Sequence, residues 1–344
     1  MLIDDPLFKI HRSKDYNYVF RKSDGFFARW GRTKKDDPEK APFPEILDIE
    51  VSIGDCSSNC NFCYKSNTRG NGQHMNLATF RQIIDKMDFL CQIALGITDI
   101  DSNPDLVGML QYARQKGIIP NFTMTGYGLN KTLAQDVAKY VGAIAVSIYP
   151  HTIDIGYNAV KTFVDNDVRQ VNIHLLYHSK NEDHVYRVLS DIKSDSRLSN
   201  INAIVLLSLK TKGRAKIGGF EPLNSKKFNK IIQYCFNENI PLGFDSCSSP
   251  KFEAFVKKCN LPKKQKKDIL QMCEPCEGTL FSFYINHLGQ GFPCSFMEGT
   301  YGWETGVNVL EAEDFIRDVW NHPRVENWRN NLLKNCRRCP VYQL

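Results

Sequence analysis

The sequence has no run of eighteen apolar residues, which excludes a membrane-spanning helix from the expectations. Its N-terminus, MLIDDPLFKI, lacks the basic-then-apolar pattern of a secretory signal, so a cytoplasmic location is expected. Strong charge of one sign is missing too. A net charge of +6 over 344 residues fits an anionic partner only weakly and is no nucleic-acid-binding signature. What is plentiful is cysteine. Twelve Cys in a chain that is 42% hydrophobic, the composition of a folded protein, point to a reducing compartment and to thiolates on metal more than to disulfides.

Three of them fall in one short stretch, CSSNCNFC, just after the apolar run 46–53 (ILDIEVSI). Cys56, Cys60 and Cys63 are spaced four and then three apart, so one tight loop can hold three corners of an iron–sulfur cube and leave the fourth iron open. Zinc is the alternative, but it usually takes a fourth Cys or His close by, and the nearest candidate, His74, lies eleven residues on. The spacing, with aromatic Phe62 before the last Cys, resembles the signature of the radical S-adenosylmethionine (radical SAM) enzymes. The resemblance implies a 4Fe-4S cluster on these thiolates and S-adenosyl-L-methionine on the open iron. It also implies reductive cleavage of that cofactor to a 5′-deoxyadenosyl radical, fed by an external donor such as flavodoxin or ferredoxin.

Around this loop the chain reads as alternating strands and helices. Strands are predicted at 46–53, 91–97, 119–124, 142–149, 169–176, 202–209 and 240–245, and helices at 76–89, 104–116, 130–140, 181–194 and 224–239. Asn76 and Asn130 are candidate N-caps, and Pro104 suits a first helical turn. The pattern predicts an α/β fold, a partial (β/α)6 TIM barrel over residues 46–245 with functional loops at the C-terminal edge of the sheet. Residues 1–45 precede it as an N-terminal extension. There Tyr16 to Arg32 alternates aromatic and polar positions about Asp24-Gly25, a β-hairpin signal. A hairpin covering one end of the barrel is expected.

Further stretches carry the resemblance. LGITDIDSNPDL (95–106) resembles the family stretch TGGEP followed by LLNPDL, which holds the amino group of the methionyl moiety. Asn103, Pro104, Asp105 and Leu106 match, Asp99 falls where the Glu stands, and Ile97-Thr98 replaces the glycine pair. By resemblance Thr98 and Asp99 bind the cofactor, Ser147 of VSIYP reaches its ribose, and Phe62 lies on its adenine side. KTKGRA (210–215) resembles the loop after the sixth strand in relatives that modify peptides and small natural products.

From about residue 246 to 344 the alternation breaks and a second Cys set appears: Cys276 and Cys294 about a predicted hairpin with the turn HLGQG, then Cys336 and Cys339 in CRRC. Four thiolates suit a second 4Fe-4S cluster or a structural zinc. The spacing resembles the Twitch domain, a shortened SPASM domain that carries one auxiliary cluster, and implies a small C-terminal Fe-S domain. Five Cys remain. Cys91 and Cys235 read as core thiols, Cys259 carries no assignment, and Cys273 neighbours a ligand. Cys247, in GFDSCSS after the last predicted strand, reads either as a packed thiol or as a catalytic hydrogen-atom donor. His174 and His178 end a strand, and the lysines around KKQKK form a basic patch.

Together these imply a radical SAM enzyme that abstracts a substrate hydrogen, the auxiliary cluster taking up an electron. The expected substrate is a ribosomally made peptide or protein side chain. A radical dehydrogenase of a small alcohol or sugar is the alternative, and a non-catalytic metal-binding scaffold is a third reading. No membrane or nucleic-acid partner is expected.

Overall fold

A computed structural model describes residues 1–342. The chain opens with four short antiparallel strands, β1 (Leu2–Asp4), β2 (Phe8–His11), β3 (Asn17–Arg21) and β4 (Phe27–Trp30). The expected hairpin is β3–β4, with Phe20 facing Phe27 across the turn. Gly25 there takes φ +80°, and Arg21 clasps Asp24 at 2.8 Å. This small sheet buries Tyr16, Tyr18 and Phe20 against Phe43, Cys91, Ile119 and Phe281. Those partners lie at the beginnings of strands in the main sheet, so the extension covers the edge opposite to the cluster loop.

The main sheet starts at β5 (Ile46–Glu50). A two-stranded ribbon follows, β6 (Ser52–Ile53) and β7 (Gln73–His74). Then come α1 (Leu77–Ile84), β8 (Gln92–Gly96), α2 (Leu106–Gln115), β9 (Ile119–Met124), α3 (Lys131–Ala138), β10 (Ala143–Ser147), α4 (Ile153–Asp165) and β11 (Gln170–Tyr177). The series ends with α5 (Glu182–Ser194), β12 (Ala203–Ser208), the short α6 (Arg214–Ile217), α7 (Ser225–Asn237) and β13 (Leu242–Phe244). Asn76 and Asn130 cap their helices as expected, each carboxamide oxygen accepting a backbone N–H two or three residues into the first turn, at 2.8 and 3.0 Å. α4 was absent from the sequence expectation.

Strands β13, β12, β11, β10, β9, β8 and β5 run parallel side by side, the order that βα repeats produce. Alternate residues such as Leu47 and Ile49, or Ile173 and Leu175, are fully buried under the helices, while Glu50 turns toward the inside of the sheet. All seven strands expected from sequence are present, β13 being the last of them. The run is extended beyond β5 by β14 (Ser282–Ile285), which pairs parallel to β5. β14 continues antiparallel into β15 (Gln290–Phe292) and β16 (Val307–Asn308), the predicted C-terminal hairpin. Helices α8 (Ser249–Lys258), α9 (Lys263–Gln271) and α10 (Pro323–Lys334) complete the described chain, and the KKQKK patch lies on α9. No helix among the described residues is long and apolar enough to cross a membrane.

Candidate active site

The cluster loop leaves the sheet at the C-terminal end of β5 and is pinned at its base by the β6–β7 ribbon. Asn103 fixes its entry, donating to the carbonyls of Val51 at 2.9 Å and Met75 at 3.0 Å. Three other strand-end loops hold it. After β8, both carboxylate oxygens of Asp99 stand 3.1 Å from the backbone nitrogen of Ser57. After β10, the His151 ring nitrogen Nε2 lies 2.9 Å from the Ser58 carbonyl and 3.8 Å from the Cys60 sulfur. After β12, Arg214 donates through Nε to the Cys60 carbonyl at 2.8 Å and through its backbone N–H to that of Cys63 at 3.0 Å. Gly213 makes the last approach feasible. It adopts φ +57° and ψ −136°, and a Cβ there would stand 2.7 Å from the Cys63 carbonyl oxygen.

Under this loop lies a cavity of about 370 Å³, and Cys56, Cys60 and Cys63 all line it. Burial pushes the Cys60 thiol up to about 12; the Ser58 hydroxyl, 3.0 Å away, opposes the shift, and the neighbouring Cys63 and Cys56 add to it. Ligation to iron holds such thiols deprotonated, so loading would release protons. Among the described residues no three His, Cys, Asp or Glu are gathered so as to hold one metal ion. A cube makes a different demand, because each thiolate takes its own iron. Three soft donors at the rim of one cavity fit that demand.

The rest of the lining suits a polar organic cofactor. Phe62 is buried and packs edge-on to Tyr149, ring centres 5.0 Å apart. Thr98 and Ser147, both nearly inaccessible, also line the cavity. Asp99 does not line it; its carboxylate is spent on the Ser57 backbone. Two lining hydroxyls, Thr125 Oγ1 at the end of β9 and Ser208 Oγ at the end of β12, are buried without any partner. A buried unpaired hydroxyl costs about 1–3 kcal/mol, so each is a place where a bound polar group would be favoured. Neither was singled out from sequence, since Ser and Thr at strand ends carry no spacing signal.

Sequence reasoning also missed Lys65 and Glu298. Lys65, two residues past the last cluster Cys, pairs with Glu50 at 2.9 Å and with Glu298, and donates to the Tyr284 hydroxyl at 2.6 Å. Lys212 donates to the Glu298 carbonyl at 2.5 Å. The stretch after Cys294 is thereby tied beside the cavity, and Phe296 joins its lining. Lys210, 5% exposed, pairs with Asp245; both line the cavity. His178 packs on Phe62 at 5.4 Å, and burial pushes its pKa down to about 4, leaving it neutral.

A second cavity, of about 400 Å³, adjoins the C-terminal thiols. Cys276 and Cys339 line it, and Cys294 is close enough for its charge to raise the Cys276 pKa further. Cys336 is exposed and does not line it. Cys247 does, and it is absent from the first cavity, although Asp245 two residues earlier lines the first.

No protein-family model and no curated protein matches this sequence. Solved structures do resemble its fold. Streptococcus suis SuiB bound to S-adenosylmethionine is 14% identical with a TM-score of 0.71, the match covering 100% of both chains. SuiB bound to the precursor peptide SuiA gives 0.71 at 12% identity, over 96% of this chain and 90% of that one. Native anSMEcpe with bound AdoMet and Cp18Cys peptide gives 0.62 at 12%, over 88% of each. At such identities the likeness is one of fold: this chain shares the fold of SuiB and anSMEcpe.

Proposed function

We propose that the protein is a radical SAM enzyme that modifies a peptide or protein side chain. The observation that carries this is the meeting of Cys56, Cys60 and Cys63 at the rim of one cavity whose walls hold the unpaired hydroxyls of Thr125 and Ser208. A 4Fe-4S cluster and S-adenosylmethionine, once bound there, supply an electron and a carbon radical able to take hydrogen from an unactivated C–H bond. The chain's own residues do the rest. Phe62 gives the adenine a wall, and Thr98, Ser147, Thr125 and Ser208 give the cofactor's polar groups their partners. Arg214 and Asp99 hold the cluster loop by its backbone. The Lys65–Glu298 pair ties the Cys294 stretch to the cluster loop, and Phe296 of that stretch adds an apolar wall that would help keep water from a reactive radical.

The second thiol set holds an auxiliary cluster in this reading, with Cys276, Cys294 and Cys339 among its ligands. Its place next to Asp245 would let it receive an electron from substrate in the first cavity, giving net oxidation. Peptide as substrate class is supported by the solved structures of this fold that hold a precursor peptide or a substrate peptide. A short precursor gene beside the enzyme's own, co-expressed with it, provides the test. Mass spectrometry should show a peptide changed by loss of two hydrogens or by a crosslink. A peptide of unchanged mass, alongside turnover of a small alcohol or sugar, would assign the enzyme to small-molecule oxidation.

A further inference from the structure

Three thiols line the second cavity, and they are not the set that CRRC and the hairpin suggest. Its lining includes Cys247, Cys276 and Cys339, with Ser246, Pro250 and Arg337 between them. Cys294 does not line the cavity, but the chain just before it meets Cys276: a Cβ on Gly278 would stand 2.7 Å from the Pro293 carbonyl oxygen and 3.8 Å from the Cys276 sulfur. All four are partly shielded from solvent, whereas Cys336 is exposed.

The backbone explains why Cys336 is left outside. It sits where α10 ends, its N–H donating to the Leu333 carbonyl at 3.2 Å, and it and Arg337 are two successive left-handed residues, with φ +51° and +57°. That turn presents Arg337, not Cys336, to the hairpin. The Arg337 carbonyl accepts the Cys276 N–H at 3.2 Å, and its guanidinium donates to the Cys276 carbonyl at 3.2 Å and to Glu274 at 3.0 Å.

Cys247 is delivered by an equally definite turn. β13 runs into Asp245, whose backbone and carboxylate oxygens accept the Ser248 N–H at 2.8 and 3.1 Å. The Asp245 carboxylate also pairs with Lys210. This fixes Asp245 on the first cavity and Cys247 on the second.

We propose that the auxiliary cluster is held by Cys247, Cys276, Cys294 and Cys339, with Cys336 outside the ligand set. The assignment rests on the reading of the second cavity as an iron–sulfur site. It makes the cluster a staple between the last barrel strand and the C-terminal hairpin. It also removes Cys247 from the role of hydrogen-atom donor, since a ligated thiolate carries no S–H hydrogen and faces the wrong cavity.

The test uses the full chain carrying Cys56→Ala, Cys60→Ala and Cys63→Ala, reconstituted anaerobically, so that only the second site is counted. It should hold about four irons. Adding Cys336→Ser should leave the iron content and the reduced-state paramagnetic resonance spectrum unchanged. Adding Cys247→Ser should lower the iron or change the spectrum. Loss on Cys336→Ser with none on Cys247→Ser overturns the assignment. A triple-Ala protein with one zinc or no iron overturns the cluster reading beneath it.

Alkylation of the wild-type holoenzyme separates ligation from misfolding of a variant. Iodoacetamide should label Cys336 before and after iron is chelated, and Cys247 only after. Cys336 protected by iron, with Cys247 labelled alike in both states, overturns the assignment as well.

Discussion

Gly213→Ala tests whether the loop after β12 holds the cluster loop in shape. At φ +57° and ψ −136° the residue occupies a region nearly closed to L-amino acids, and forcing alanine into it costs about 1–3 kcal/mol. The added Cβ would meet the Cys63 carbonyl oxygen at 2.7 Å, and the Tyr64 carbonyl closer still. Both obstacles are backbone, so relief requires the loops to part. Parting them loses the Arg214 backbone bond to Cys63, about 1 kcal/mol, and the guanidinium bond to Cys60, about 1.5–3 kcal/mol. The expected total is roughly 3.5–7 kcal/mol, a large part of a typical domain's stability. Gly219 is the internal control: its φ is +59°, but a Cβ there meets nothing within 4 Å, so Gly219→Ala should cost only about 1 kcal/mol. The assay is urea unfolding, with the rate at which a chelator strips iron as second readout. A Gly213→Ala protein as stable as Gly219→Ala, and holding its iron as long as the parent, would refute the reasoning.

Lys210→Met should destabilise by about 1–3 kcal/mol, because it takes the buried ammonium from half-buried Asp245, and adding Asp245→Leu should restore much of it; equal midpoints for the two variants in denaturant would show the pair to be incidental. Asp99→Ala removes a charged acceptor worth roughly 1.5–3 kcal/mol from the Ser57 backbone, so chelators should strip iron faster; an affected cofactor affinity with unchanged iron retention would return Asp99 to the cofactor. His178 has a folded pKa of about 4 against an ordinary 6.5, so its neutral form is the one the fold favours. Its contribution is therefore complete above about 6.5 and lost as pH falls toward 4, and His178→Gln should flatten the stability profile over that window; an unchanged profile would contradict the assignment.

The barrel was legible because each strand and helix announces itself locally. Leu47 and Ile49 alternate with polar neighbours, Asn76 and Asn130 stand where caps belong, and Asp24-Gly25 marks its turn. The cluster loop was legible for the same reason, all three Cys falling within eight residues. What escaped is nonlocal. The short β1 and β2 have no turn signal strong enough to declare them, and nothing in SFYI says that it pairs with β5. Gly213 and Arg214 fall in KTKGRA, which the resemblance marked, but their hold on Cys60 and Cys63 shows only in the fold. Cys247 lies two residues from Asp245, yet a single turn sends them to different cavities, a parting that spacing cannot reveal.

The central claim is that Cys56, Cys60 and Cys63 hold a cluster which, when reduced, cleaves S-adenosylmethionine. The anaerobically reconstituted enzyme is mixed with dithionite and S-adenosylmethionine, and 5′-deoxyadenosine is quantified by liquid chromatography and mass spectrometry. The account predicts that product from the parent and none from the Cys56→Ala, Cys60→Ala, Cys63→Ala protein. An iron-loaded parent that forms no 5′-deoxyadenosine, or a triple variant that forms as much as the parent, would contradict it.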